Sequence, residues 1–239
     1  MSFNIPELEN VSGLTSQEYV YARLRNAIMV GAIPTGTSLT MRGLAQLMDL
    51  SPTPIREALR RLNSESAVEL KDNRRLIIPK MTIGRFEDLV ATRVALESHA
   101  AERALPYVSD ILIEEMSEID FEMDKAIPNL DYDRLTSLNQ AFHRKLYCAN
   151  PNHSAMPLIE SVWLQLGPFH REMITDVGKF YLVDHHKTIL AALSDRDAVA
   201  LVLALKQDIK DGVLLEGRAM IALRAEDKLK SALEEFTRK

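Results

Sequence analysis

The chain of 239 residues contains a single cysteine, Cys148. No intramolecular disulfide framework can form, and a reducing compartment is the expectation. No apolar run approaches the ~20 residues that a membrane-spanning helix needs. The opening segment, MSFNIPELENVSG, lacks the basic start and apolar stretch of a secretory signal. These absences predict a soluble cytoplasmic protein with no membrane partner. No internal repeat or low-complexity segment stands out. An excess of positive charge is missing too, since the net charge is −5. That average hides an asymmetry. Residues 15–80 hold ten Lys/Arg against six Asp/Glu, a net of +4, which leaves −9 for the remainder. A basic module on an acidic body fits nucleic-acid binding by one end only.

The pattern divides at about residue 80. Between Thr15 and Gly31 the apolar Tyr19, Val20, Leu24, Ala27 and Ile28 recur at helical spacing, and Gly31 is a stop signal. After the turn Ile33-Pro34-Thr35-Gly36, Thr40 can cap a short helix through about Met48. The spacing predicts a third helix from Pro54, with Thr53 as its N-cap. Residues 67–71 and 75–78 read as two strands around the Asp72-Asn73 hairpin signal. Beyond residue 80 strand alternation is absent. The predicted helices run over about 82–105, 109–126, 131–149, 154–174, 179–193, 197–221 and 225–237. Pro128, Pro151 and the Ser194–Asp197 cluster mark breaks between them. The fold class is therefore mostly α: an N-terminal winged helix-turn-helix over 1–80 and an all-α helical bundle over 81–239.

In a winged helix-turn-helix the third helix enters the major groove and the wing follows the backbone. The third helix here carries Arg56, Arg60 and Arg61. Arg56 and Arg60 are four apart and share a face. Arginine reads guanine edges bidentately and also binds phosphate. The candidate DNA contacts are Arg42, Thr53, Arg56 and Arg60, with Lys71, Arg74 and Arg75 on the wing. The partner would be double-stranded operator DNA. A symmetric reader of two half-sites would be a homodimer.

The stretch LAQLMDLSPTPIREALRRLNSE resembles the DNA-binding signature of the GntR family of transcription regulators. The matching positions include Leu44, Ala45, Ser51, Thr53, Pro54, Arg56, Glu57, Ala58, Leu59 and Leu62. Upstream, Leu24, Ile28, Gly31, Pro34, Gly36 and Leu39 also fall where the family has them. Pro52 stands where the family commonly aims an arginine at DNA, which leaves operator preference open. Ser66 stands where the family has glycine before the wing, and an altered turn is expected there.

The helical remainder resembles the FCD domain of the FadR-type subfamily. The resemblance rests on Arg93-Val94-Ala95-Leu96-Glu97, Asn139-Gln140-Ala141-Phe142-His143 and His186-Lys187-Thr188-Ile189. It implies a ligand-controlled regulator that senses a small organic acid, and a repressor rather than an enzyme. It also implies a divalent metal (Zn, Ni or Mn), commonly held by an aspartate or asparagine, a histidine four residues later and two further histidines. This chain supplies Asn139, His143 and His186, with Asp208 in place of the last histidine. The single carboxylate would then have moved from the first ligand position to the fourth.

Helical periodicity bears on that set independently. At about 100° per residue, Asn139 and His143 fall beside the stripe of Leu138, Phe142 and Leu146. His186 falls inside the arc of Ile189 and Leu193, and Asp208 on the face of Leu201 and Leu205. The turn near Asp195 leaves His186 and Asp208 of an antiparallel pair offset by about three to four residues, on the order of 5 Å along the axis, which side chains can span. Oxygen and imidazole ligands suit Zn, Ni or Mn. The same residues also fit a buried polar network without metal. Arg93 and Glu97, four apart, fit an internal ion pair, a clamp on a small carboxylate effector, or both. Arg144, Trp163, His170 and Arg171 are further pocket candidates. Two other readings stay open at this level. One is a metal-dependent helical-bundle enzyme with an accessory DNA-binding module, which no motif supports. The other is a metal-free sensor of a long acyl thioester, against which Asn139, His143 and His186 speak together.

Overall fold

The computed structural model describes residues 3, 5–8, 12–71, 75–177 and 185–237, apart from the side chains of 228, 229 and 231–237. Helix α1 spans Ser16–Met29 and begins in a reciprocal capping box between Thr15 and Glu18. It stops at Gly31, whose φ of 73° suits a residue without Cβ. Strand β1 is Ser38–Leu39, followed by α2 over Met41–Met48. As the sequence predicts, Thr40 caps α2, accepting from Gly43 N at 3.1 Å. Helix α3 covers Pro52–Ser64 and so starts two residues before the predicted Pro54. Proline is well suited to the first helical position, where its missing N–H has no intrahelical partner to lose. Ser51 is consequently the cap residue, and Thr53 lies inside the first turn.

Strands β2, Glu69–Leu70, and β3, Leu76–Ile77, form the expected antiparallel wing. Arg74 and the Asp72-Asn73 turn lie outside the described residues. β1 adds a third strand in the order β1-β3-β2, with Ser38 opposite Ile77 and Leu39 opposite Leu76. Two residues carry no readable alternation, so this strand was invisible to periodicity.

Ser66, before the wing, sits at a φ of 57°. It adopts the left-handed conformation that glycine takes readily. Ala67 N donates to Leu62 O at 3.0 Å, closing the end of α3. The left-handed state costs an L-residue about 1–2 kcal/mol, and glycine's extra unfolded-state freedom offsets about half of that. Ser66→Gly is therefore expected to stabilise by about 0.5–1 kcal/mol. An unchanged or lower denaturation midpoint would contradict this.

Among the described residues six helices build the body: α4 Ile83–Ala104, α5 Asp110–Ala126, α6 Tyr132–Tyr147, α7 Met156–Val177, α8 His186–Ser194 and α9 Ala198–Thr237. Short 3-10 turns follow α4 at Leu105–Tyr107 and α5 at Ile127–Asn129. The predicted break between 221 and 225 does not exist. No proline or glycine interrupts Ile221 to Lys228, and α9 runs on as one helix. The first part of the predicted 179–193 helix, 179–184, lies outside the described residues. α4 packs against α6, α7 and α9, while α5 packs on α6 and α8. Phe86 of α4 and Gly217 of α9 meet so closely that a Cβ at Gly217 would lie 2.3 Å from the Phe86 ring. No helix among the described residues is long and apolar enough to cross a membrane.

Candidate metal centre and DNA-reading face

Asn139, His143 and Tyr147 follow one another at four-residue steps along α6, which packs on α4 and α5, and His143 reaches Asp208 of α9. His186 is the first residue of α8, and Asp208 lies in the buried stripe of α9. The structure brings the four sequence-predicted ligands to one point. His143 Nε2 lies 3.2 Å from Asp208 Oδ2, and His186 Nε2 lies 3.9 Å from Asp208 Oδ1. Ligand atoms of His143, His186 and Asp208 all fall within 4.8 Å of one another, and all three residues are buried. Asn139 Nδ2 stands 3.4 Å from His186 Nε2. Ligation by Asn139 would require its amide oxygen to face inward instead.

The donors around the two imidazoles fix which nitrogens face the centre. His186 Nδ1 lies 3.0 Å from Asp120 Oδ1, so this nitrogen carries the proton and Nε2 presents a lone pair. Tyr147 O–H donates to Glu97 Oε2 at 2.9 Å. The phenol oxygen, 3.3 Å from His143 Nδ1, is then the acceptor for that ring nitrogen. His143 Nε2 is left aimed at Asp208 without hydrogen-bond geometry. Two imidazole lone pairs and a carboxylate converging in a buried space call for a cation between them. The residues therefore fit a divalent metal, with carboxylate and imidazole donors of the kind that Zn, Ni and Mn accept. Burial opposes ionisation of Asp208, and the His185 backbone N–H, donating to Oδ1 at 3.1 Å, helps to hold its carboxyl below the usual carboxylate range.

Asp120 was not among the sequence candidates. It is a carboxylate on the buried face of α5, between Met116 and Met123, and that misplaced charge was the available signal. Its role is to orient His186, as second carboxylates commonly orient metal-binding imidazoles.

Arg93 and Glu97 form the internal ion pair that their spacing allows, with Arg93 Nε 2.6 Å from Glu97 Oε1 and Nη2 3.4 Å from Oε2. Trp163 Nε1 adds a bond of 2.9 Å to Oε1. Glu97 is 0% exposed, and its carboxylate is fully engaged by Arg93, Trp163 and Tyr147. Glu97 is thus placed to anchor Arg93, not to meet an effector. Burial works against its charge, yet Arg93 outweighs burial and keeps the carboxyl below its ordinary value. Arg93 itself reaches a cavity of about 30 Å³ walled also by Asn139, Thr136, Gln140, His170 and Met29. Asn139 joins this cavity to the ligand cluster. Burial, with Arg93 alongside, pushes the His170 imidazole down to about 3, so it lines the cavity as a neutral ring. Of the other pocket candidates, Trp163 lies on the wall, whereas Arg144 pairs with Glu160 and Arg171 with Asp133.

On the N-terminal module, Arg42, Thr53, Arg56, Arg60, Lys71 and Arg75 are all exposed. Thr53, Arg56 and Arg60 share one face of α3. Arg60 pairs with Glu57 at 2.7 Å and Lys71 with Glu69 at 2.7 Å. Such exposed pairs are worth little and can open to a phosphate. Arg61 has a different task. Its guanidinium lies 3.7 Å from the centre of the Tyr21 ring and 3.5 Å from Glu65, which pins α3 to α1.

Residues 16–78 match the bacterial regulatory proteins of the gntR family, and residues 88–211 match the FCD domain. The chain is 24% identical over 177 residues to the HTH-type transcriptional regulator McbR of Escherichia coli (strain K12), covering 73% of this chain and 80% of that one. It is 26% identical over 198 residues to the gluconate operon transcriptional repressor of Bacillus subtilis (strain 168), covering 79% of each. The solved structure of E. coli McbR/YncC superposes with a TM-score of 0.80 at 21% identity, covering 87% of this chain and 99% of that one. Both curated relatives are named as transcription regulators.

Proposed function

Because the chain belongs to the GntR family of bacterial regulatory proteins, with an FCD domain as its helical body, we propose that it is a ligand-responsive repressor controlled from a metal site in that body. Residues 1–80 are the DNA reader, and 81–239 the sensing and dimerising domain. The observation that carries this reading is the convergence of His143, His186 and Asp208 beside a cavity reached by Arg93. His143, His186 and Asp208, with Asn139 turned inward, would hold Zn, Ni or Mn. A bound metal of this kind offers open positions to an anionic oxygen ligand. The effector is a small carboxylate, held at its far end by the Arg93 guanidinium, whose position Glu97 fixes. The protein works in the cytoplasm as a homodimer on two operator half-sites. Repression accords with the gluconate operon repressor among its relatives.

A ligand can shift DNA binding only by its different affinity for two packings of the protein. Coupling of about 1–3 kcal/mol between effector and operator is expected. Arg56→Ala is expected to cost about 1–3 kcal/mol of operator affinity and to relax specificity at one base position. Arg75→Ala, on the wing, should weaken all sequences alike and flatten the salt dependence. The check is a salt-dependent titration of duplexes selected by the wild-type protein from a random pool. Unchanged affinity in the Arg56→Ala, Arg60→Ala double variant removes the recognition-helix assignment.

A further inference from the structure

The cavity beside the ligand cluster is too small for its occupant. Its volume of about 30 Å³ accommodates roughly two waters, less than any carboxylate with a carbon skeleton. The cavity is partly open to solvent, but a carboxylate seated fully inside it against Arg93 must displace a wall. Three of the walls are tied down. Arg93 and Trp163 are both bound to the buried Glu97. Asn139 belongs to α6, which carries His143 and Tyr147 into the buried network. Met29, the last residue of α1, is the wall that belongs to the DNA-reading module. Its side chain is unbranched and adaptable, and the link from its carbonyl to this wall is one long bond, Gln140 Nε2 donating at 3.4 Å.

That wall also seats the reader on the body. The end of α1 lies directly on Gly167 of α7, where an added Cβ would come within 2.2 Å of Met29 O and 2.7 Å of Ile28 O. α1 packs along α3, and the two are cross-linked by Tyr21 and Arg25 to Glu65 and by Arg61 over Tyr21. A shift at Met29 is therefore passed to the recognition helix through a rigid pair. A second observation points to a ligand in the same space. Thr136 lines the cavity, is 3% exposed, and its hydroxyl has no hydrogen-bond partner. Such a group costs free energy until an oxygen or nitrogen meets it.

We propose that the effector site is shared between reader and body: Met29 is its yielding wall, Thr136 is a polar contact that a ligand oxygen satisfies, and occupancy lifts α1 from Gly167. This rests on the reading of the cavity as the effector site. The reader is thus part of the binding site, and ligand affinity and operator affinity are linked at Met29.

The test uses the full-length, metal-loaded protein with acetate, citrate and gluconate as probes and wild-type-selected duplex as operator. Gly167→Ala places a methyl where the end of α1 sits and imitates occupancy. It should change operator affinity at least tenfold in the direction that a binding probe does, and abolish further response. Met29→Ala enlarges the cavity without the push. It should tighten probe binding several-fold while the probe's effect on the operator falls toward none. Thr136→Val, isosteric without the hydroxyl, should weaken the probe about tenfold. If Gly167→Ala does not fold, Met29→Ala decides. A Met29→Ala variant whose affinity and response equal the wild type overturns the proposal, as does a folded Gly167→Ala variant with wild-type operator affinity and response. If none of the three probes binds wild-type protein, the small-carboxylate reading fails. Gly167→Ala then still decides the shared wall, a shift in operator affinity supporting it and no shift overturning it.

Discussion

Glu97→Ala is expected to cost about 3–5 kcal/mol of unfolding free energy, the range for stripping one partner from a buried ion pair. Glu97 is fully buried and accepts from Arg93, Tyr147 and Trp163 at once. Without it, a guanidinium, a phenol and an indole N–H all lose their acceptor, and the guanidinium remains a buried charge. Glu97→Gln keeps acceptor oxygen but not the charge, and should fall between the two. The pH dependence follows from the depressed carboxyl of Glu97. A folded-state value below the unfolded one gives stability that is present above the unfolded value and lost as pH falls through the folded one. His170 acts in the same sense, since its imidazole goes from 6.5 down to about 3 on folding. Its contribution is lost progressively from about pH 6.5 downward. Denaturation midpoints of wild type and Glu97→Gln, measured between neutral and acid pH, check this. The variant should lose the Glu97 part of the acid slope and retain the His170 part. Equal midpoints for Glu97→Ala and wild type would mean that the network contributes nothing.

Wild-type protein stripped by chelator and then supplied with Zn, Ni or Mn should bind one metal per chain and gain stability. At a metal concentration a hundredfold above the dissociation constant the gain is about 2.7 kcal/mol. The His143→Ala, His186→Ala double variant should bind none at this site and show no gain. Asp208→Ala removes the carboxylate that both imidazoles face and should weaken binding severely. Asp120→Asn leaves the ligand set whole but removes the charge that holds the His186 Nδ1 proton, and should lower affinity about 10- to 100-fold. Binding should weaken in acid, because imidazole and carboxylate must both be deprotonated to ligate. Elemental analysis together with thermal unfolding separates these cases. Failure of wild-type protein to take up any of the three metals would remove the metal reading and leave a buried polar network.

Some elements could be read from the chain alone because their signals are short-range. Thr15 with Glu18 and Thr40 cap α1 and α2 because capping is a contact across three residues. Asn139 and His143 lie on the inward side of α6 because four residues bring a helix round by about one turn. Where the local signal is weak the structure departs from the sequence expectation: Pro52 rather than Pro54 opens α3, and α9 continues through 221–225. Ser66 takes the left-handed conformation, with the Ala67 N–H bonded to Leu62 O beside it, which no local pattern in the sequence announces.

By itself the sequence determined the winged module, the helical body and the four polar residues set on apolar faces, since composition and periodicity act within one helix. Only the tertiary structure decided what those faces meet. It placed Asp120 behind His186, turned Glu97 away from the cavity to anchor Arg93, and laid Met29 across the space beside Asn139. The physical reason is that hydrogen-bond partners 47, 66 or 111 residues apart are chosen by how helices pack. A periodicity of 3.6 fixes which way a side chain points on its own helix. It carries no information on which other helix will stand opposite.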